Sequence, residues 1–103
     1  MVKLAATHTL ADGVAVNQPS ELSMQYVKKY VDDILLVSDE DIKDAITLLH
    51  SKSKLVVEGA GAASTAALIK YQNIIKGKRI ALIVTGGNIS QQILSDILQS
   101  KSN

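Results

Sequence analysis

The residues best suited to chemistry cluster at two glycine-flanked turns. The first is Glu58-Gly59-Ala60-Gly61-Ala62-Ala63-Ser64, which follows the apolar run Leu55-Val56-Val57 and opens an alanine-rich stretch. A strand, a glycine-rich turn and a helix in that order are the setting of a dinucleotide-binding fingerprint. Here the last fingerprint position is Ser64. The acid required about 20 residues further on is also missing, because that stretch reads Lys78-Arg79-Ile80-Ala81-Leu82. Close packing of a Gly/Ala helix explains the same residues without a nucleotide. Glu58 has two readings. It is a carboxylate stabilised by backbone N–H groups at a helix N-terminus, or a cleft carboxylate beside a cofactor.

The second turn is Thr85-Gly86-Gly87-Asn88, at the carboxyl end of the run Arg79-Ile80-Ala81-Leu82-Ile83-Val84. Ligands of open α/β sheets gather at that edge. The glycines let backbone approach a ligand, and the Thr85 hydroxyl can donate or accept. The same residues also make an ordinary strand-to-helix turn in which Asn88 caps the next helix. His8 has no evident partner in sequence, and His50 reads as a helix-end residue. With no cysteine there is no thiolate, disulfide or cysteine-based zinc site, and nothing in the pattern points to a metal or a catalytic triad.

These turns need elements to hold them. Asp12-Gly13 is a turn signal between Leu10-Ala11 and Val14-Ala15-Val16. After Pro19, the spacing of Met24, Val27 and Val31 predicts an amphipathic helix over 20–31. Ile34–Val37 suits a short buried strand. Ser38 with Asp41 has capping-box spacing, and Asp39 and Glu40 add acids to the first turn. That helix places Ile42, Ala45, Ile46 and Leu49 on one face and His50, Lys52 and Lys54 near its end. A helix is expected over the alanine-rich 62–69, strands at 55–57 and 79–84, and a last helix carrying Ile93, Leu94, Ile97 and Leu98. The fold class is α/β: a partial parallel sheet with covering helices. Two confident strands, with a third in view, need neighbours on both edges, so the segment is expected to belong to something larger.

Composition narrows the classes. Hydrophobic residues are 47% of the 103, which argues against disorder, and aromatics are only Tyr26, Tyr30 and Tyr71, so the core must be aliphatic. That palette suits buried parallel sheets. The net charge of +1 gives no nucleic-acid footprint, and Lys28-Lys29 and Lys76-Gly77-Lys78-Arg79 read as solvated element ends. No apolar run approaches the ~20 residues of a membrane helix, and Met1–Leu4 lacks a signal-peptide core. The expected compartment is the cytoplasm.

Motifs in the right order then carry a resemblance. Thr9-Leu10-Ala11-Asp12-Gly13-Val14-Ala15-Val16 resembles the Thr-Ile-Ala-Asp-Gly segment of the serine/threonine dehydratases. Val31-Asp32-Asp33-Ile34 with Val37-Ser38-Asp39-Glu40-Asp41-Ile42 is similar to their strand-then-helix junction. Leu55 to Ala63 and Thr85-Gly86-Gly87-Asn88 complete the set, so the likeness runs from Lys3 to Leu98. It indicates fold-type II pyridoxal-phosphate (PLP) enzymes and, within them, the threonine ammonia-lyase branch. The resemblance implies the later half of the cofactor-binding large domain, spanning 1–103, with PLP as cofactor and L-threonine or L-serine as substrate. It implies release of 2-oxobutanoate or pyruvate with ammonia by β-elimination, in amino-acid metabolism and isoleucine biosynthesis. It implies that the Thr85 hydroxyl takes the Ser/Cys place at the pyridine nitrogen, with Gly86 beside it, and that Gly13 and Glu58 lie near the ring.

The departures are as informative. The family's Schiff-base lysine sits in a Ser-x-Lys-x-Arg-like motif that these 103 residues do not contain; Ser51-Lys52 and Ser53-Lys54 do not fit it. The phosphate-cradling glycine loop, the substrate-carboxylate loop, most of the cation site and the regulatory domain are not found either. Thr85 adds a methyl group to the usual Ser or Cys. The chain alone is therefore expected to be inactive and to need the remainder of the enzyme or further copies as partners, with no nucleic acid and no membrane. Two alternatives remain: a non-catalytic α/β interaction module pairing through a sheet edge, and a small nucleotide-binding module.

Overall fold

The computed structural model describes residues 9–15, 18–75 and 79–101. Expectations on Met1–Leu4, His8, Val16 and Lys76–Lys78 lie outside them. The elements among the described residues are a 3-10 turn at Asp12–Val14 and five helices: α1 Glu21–Tyr30, α2 Asp39–Ser53, α3 Gly59–Lys70, α4 Gln72–Ile75 and α5 Gln91–Lys101.

Helix α2 is the anchor, and its start follows from the pairing of Ser38 with Asp41. The Ser38 hydroxyl accepts the Asp41 N–H at 3.1 Å and the Asp41 carboxylate accepts the Ser38 N–H at 2.8 Å. Two of the otherwise unpaired first-turn donors are thus satisfied. The Ser38 backbone N–H, and then its hydroxyl, hold the Asp41 carboxyl below the usual aspartate range, with Lys70 adding to this. The predicted face of Ile42, Ala45, Ile46 and Leu49 is the buried one. It meets Ala62 and Ala66 of α3, with Val57, Ala11 and Ile97 closing the core. Alanines on α3 let the two helices approach closely, which is why this core works without an aromatic residue. The helix ends at Lys54, a non-glycine residue at φ 57°, while the Leu55 N–H reaches back to the Leu49 carbonyl at 3.1 Å.

Ion pairs join the helix ends. Lys101 of α5 lies 2.8 Å from Glu40 and 2.9 Å from Asp44, and Lys70 of α3 lies 3.3 Å from Asp41. These groups are solvent-facing, so they set register more than stability.

The partial parallel sheet expected from sequence is not confirmed among the described residues. No strand occurs among the described residues. The apolar runs at 34–37, 55–57 and 79–84 lie as irregular segments. They are linked by separated bonds: Tyr71 Oη to the Leu36 carbonyl at 2.7 Å, Ser64 Oγ to the Ile83 carbonyl at 2.7 Å, and Glu58 N–H to the Gly86 carbonyl at 3.1 Å. The physical reason is that a buried strand needs ladder partners and cover on both faces. Here Ile34, Leu36 and Ile83 are 66%, 75% and 78% exposed.

Three further details concern helices. The first starts at Glu21 with Ser20 as its cap, so Pro19 precedes it. Helix α3 begins at Gly59, directly after Glu58, as the helix N-terminus reading of Glu58 expects, and runs through the alanine-rich stretch. The short α4 has no counterpart in the sequence pattern.

Candidate functional site

The four residues singled out at the two turns and the Asp12-Gly13 turn come together around one feature, the N-terminal turn of α3. Glu58 occupies the cap position with extended backbone, and its side chain makes no capping hydrogen bond. Its carboxylate instead lies against Gly86, where any Cβ would overlap it. Gly86 has φ +79°, a conformation that favours glycine, so both the backbone and the neighbouring carboxylate require glycine there. The Glu58 N–H donates to the Gly86 carbonyl at 3.1 Å, fixing the turn on the cap.

Thr85 is seated by its main chain. Its carbonyl oxygen fills the space that a Cβ on Gly61 would need, so only glycine at 61 lets α3 come this close. The Thr85 residue itself is exposed. Ser64, one turn further along α3, donates to the Ile83 carbonyl and ties the segment leading into Thr85 to the helix. Gly13 is drawn in from the other side, its Cβ position 3.1 Å from the Ala60 Cβ.

Sequence reading missed the residue that ties the Gly13 loop down. The Asp39 carboxylate, at the start of α2, accepts the Thr9 hydroxyl at 2.5 Å and the Leu10 N–H at 3.2 Å. The Thr9 hydroxyl in turn accepts the Ala11 N–H at 3.2 Å. Leu10 and Ala11 then press on Gly59, whose Cβ position is 2.5 Å from the Leu10 carbonyl oxygen. An acid in the first turn of a helix is legible in the sequence; its partner 30 residues away is not. The capping reading of Asn88 is also overturned. Ser90 caps α5, its hydroxyl accepting the Ile93 N–H at 3.1 Å.

Beside Glu58 lies a cavity of about 60 Å³, lined by Leu10, Glu58, Gly59, Asn88, Ile89, Ser90 and Ile93. It is well below the ~300–1,000 Å³ of cofactor sites. What these residues offer is one edge of such a site: a hydroxyl, a carboxylate and a backbone turn open to close approach. They fit the ring-nitrogen edge of a pyridine cofactor. Glu58, Thr85, Gly86 and Gly13 include no group suited to holding its phosphate or its aldehyde carbon.

The chain is similar to several known proteins. The chain is 44% identical over 90 residues to the L-threonine ammonia-lyase of Thermotoga maritima, covering 87% of this chain and 22% of that protein. It is 41% identical over 93 residues to the catabolic L-threonine dehydratase TdcB of Escherichia coli K12, covering 88% and 28%. Among solved structures, the processed threonine deaminase isoform 2 of Solanum lycopersicum matches with a TM-score of 0.85 at 27% identity, over 99% of this chain and 30% of that one. A threonine deaminase from T.th. matches at 0.75 and 32% identity, over 87% and 33%. The chain thus spans about a quarter of the length of the curated relatives it matches. The family described as pyridoxal-phosphate dependent enzyme matches residues 1–86, and the chain belongs to that family.

Proposed function

We propose that the chain is the later half of the large domain of a fold-type II PLP enzyme acting as a threonine ammonia-lyase, and that it contributes the ring-nitrogen edge of the cofactor site. The observation that supports this most is the convergence of Gly13, Glu58, Thr85 and Gly86 on the first turn of α3. PLP, when bound, supplies the electron sink that makes the α-proton of threonine removable and lets the β-hydroxyl leave. The Thr85 hydroxyl donates to the ring nitrogen and leaves it largely unprotonated, which suits elimination over transamination. The Gly86 turn lets the ring approach the backbone, Glu58 borders the ring, and Gly13 closes the edge from the Thr9–Asp39 side.

The substrate is L-threonine, with L-serine as the smaller alternative. The products are 2-oxobutanoate or pyruvate, and ammonia. Isoleucine biosynthesis is the proposed pathway, and the catabolic name of the Escherichia coli relative marks its competitor. Rescue of an isoleucine auxotroph by the complete protein would support the first. The compartment is proposed to be the cytoplasm; no described helix is long and apolar enough to cross a membrane.

The test is direct. The 103 residues contain no Ser-x-Lys-x-Arg motif, and covalent catalysis needs its nucleophile, so the Schiff-base lysine comes from outside them. The isolated chain with PLP and threonine should release no 2-oxobutanoate, and a protein that includes the lysine-bearing segment should. In that protein Thr85→Ser keeps the donor and binds PLP as wild type does. Thr85→Val should weaken PLP binding about 5-fold, the worth of roughly 1 kcal/mol for one hydrogen bond. Turnover by the isolated chain, or unchanged PLP binding in Thr85→Val, would sink this reading.

A further inference from the structure

The turn after Thr85 contains an amide with no role in the account so far. Asn88 is not the cap of α5, because Ser90 performs that task with both its hydroxyl and its carbonyl, the latter accepting the Leu94 N–H at 3.0 Å. Asn88 is instead the centre of a three-residue turn closed by the Ile89 N–H on the Gly87 carbonyl at 2.9 Å. That turn fixes its backbone. Asn88 lines the same 60 Å³ cavity as Glu58, with Leu10, Ile89 and Ile93 as apolar walls.

The carboxylate across that cavity is half-buried and rests on Gly86 without a capping bond from the helix behind it. A carboxylate has about four acceptor sites, and an acceptor taken partly out of water needs donors to replace those it loses. The cavity has the volume of about two waters. The two side chains make no direct hydrogen bond to each other, and the cavity between them has room for a bridging water.

We propose that Asn88 is the positioning residue for Glu58: its amide donates to a water in the shared cavity, which in turn donates to the carboxylate and holds it over Gly86, on the edge where Thr85 stands. The geometry does not depend on the cofactor. Only its consequence, a carboxylate fixed beside the ring, rests on the PLP reading. The Ser90 hydroxyl also lines the cavity; it accepts the Ile93 N–H at the helix start and keeps its own O–H donor, so Ser90→Ala, which should leave a single Glu58 rotamer, separates the two donors.

The experiment uses the 103-residue chain without PLP. The side-chain couplings of Glu58 and the side-chain amide resonances of Asn88 are followed by NMR in wild type, Asn88→Ala, Asn88→Leu, Asn88→Ser and Glu58→Ala. The wild type should show one Glu58 rotamer. Asn88→Ala and Asn88→Leu should average it, and Asn88→Ser, which keeps a donor, should restore a single rotamer. The Asn88 amide protons should move in Glu58→Ala. An unchanged rotamer in both Asn88→Ala and Asn88→Leu, or an Asn88 amide indifferent to Glu58→Ala, overturns the proposal. A crystal structure decides the matter should association broaden the spectra. An amide nitrogen within roughly 3.5 Å of the carboxylate, or of a water that also touches it, supports the assignment, and neither contact overturns it. If the rotamer coupling is present while PLP fails to bind the complete protein, the cofactor reading fails and this inference stands.

Discussion

Gly61→Ala sets two effects of opposite sign against each other. Helix propensity alone favours alanine by about 1 kcal/mol. In the structure, however, the added Cβ overlaps the Thr85 carbonyl oxygen and crowds Val57 Cγ1 at 2.9 Å. The obstacle is backbone, so the turn and the helix start must part. Two bonds span that seam: Glu58 N–H to Gly86 at 3.1 Å and Ser64 Oγ to Ile83 at 2.7 Å. Each contributes about 1 kcal/mol, and a forced shift in a packed seam costs about 1–3 kcal/mol. After the helix gain is subtracted, the expected loss is about 2–4 kcal/mol, or about 30- to 1,000-fold in the folding constant. Urea unfolding followed by far-ultraviolet circular dichroism measures it. Ser64→Ala, which removes one of the two bonds without overlap, should lose only about 1 kcal/mol. A Gly61→Ala protein that unfolds at the same urea concentration as wild type, or a higher one, would refute the close approach of Thr85 to α3.

Lys54→Gly relieves a left-handed position and should raise stability by about 1 kcal/mol; a drop in the urea midpoint contradicts the φ of 57°. The Asp41 carboxyl is lowered by Ser38 and the Glu40 carboxyl by Lys101 and then Lys43. A lowered folded-state value stabilises above the unfolded one, so their contribution should be present above about pH 4 and be lost as pH falls through the folded values. Ser38→Ala should shrink that acid-side loss in a pH series of unfolding curves. Leu36→Lys with Ile83→Lys breaks up the exposed apolar segments and should reduce self-association in sedimentation; an unchanged distribution would show that these residues are not contact surfaces.

How much can be read in advance depends on distance along the chain. The capping box at Ser38 and the buried face of α2 are local, and the sequence pattern places both correctly. The start of α3 after Glu58 is legible from the apolar run that ends there, but the need for glycine at 59 and 61 is not, until Leu10 and Thr85 are seen to take the space. Asn88 has the residue type of a cap, but the serine two positions later is the better-placed acceptor. Strands at 34–37, 55–57 and 79–84 follow from apolar runs, but pairing is a property of neighbours, and a run alone does not carry it. At the site, the four residue types are legible through the family resemblance. The Asp39 clamp on Thr9 and Leu10 is not, since nothing in either motif marks the other as its partner.

The first turn of α3 is built almost wholly from residues without rotamers. Gly59, Ala60, Gly61 and Ala62 have no side-chain torsion to freeze, so ordering them costs backbone freedom alone. Gly13 and Gly86 extend this surface on either side. Around it, the polar side chains not already tied down by a hydrogen bond are few, chiefly Glu58, Thr85 and Asn88, beside the apolar Leu10, Ile89 and Ile93. Any polar adjustment of this edge to a different ring or substrate therefore falls chiefly to those three side chains, turning over a floor that cannot turn with them. Substitutions that retune the edge should accumulate at these three positions, and substitutions in the floor should change whether the edge exists.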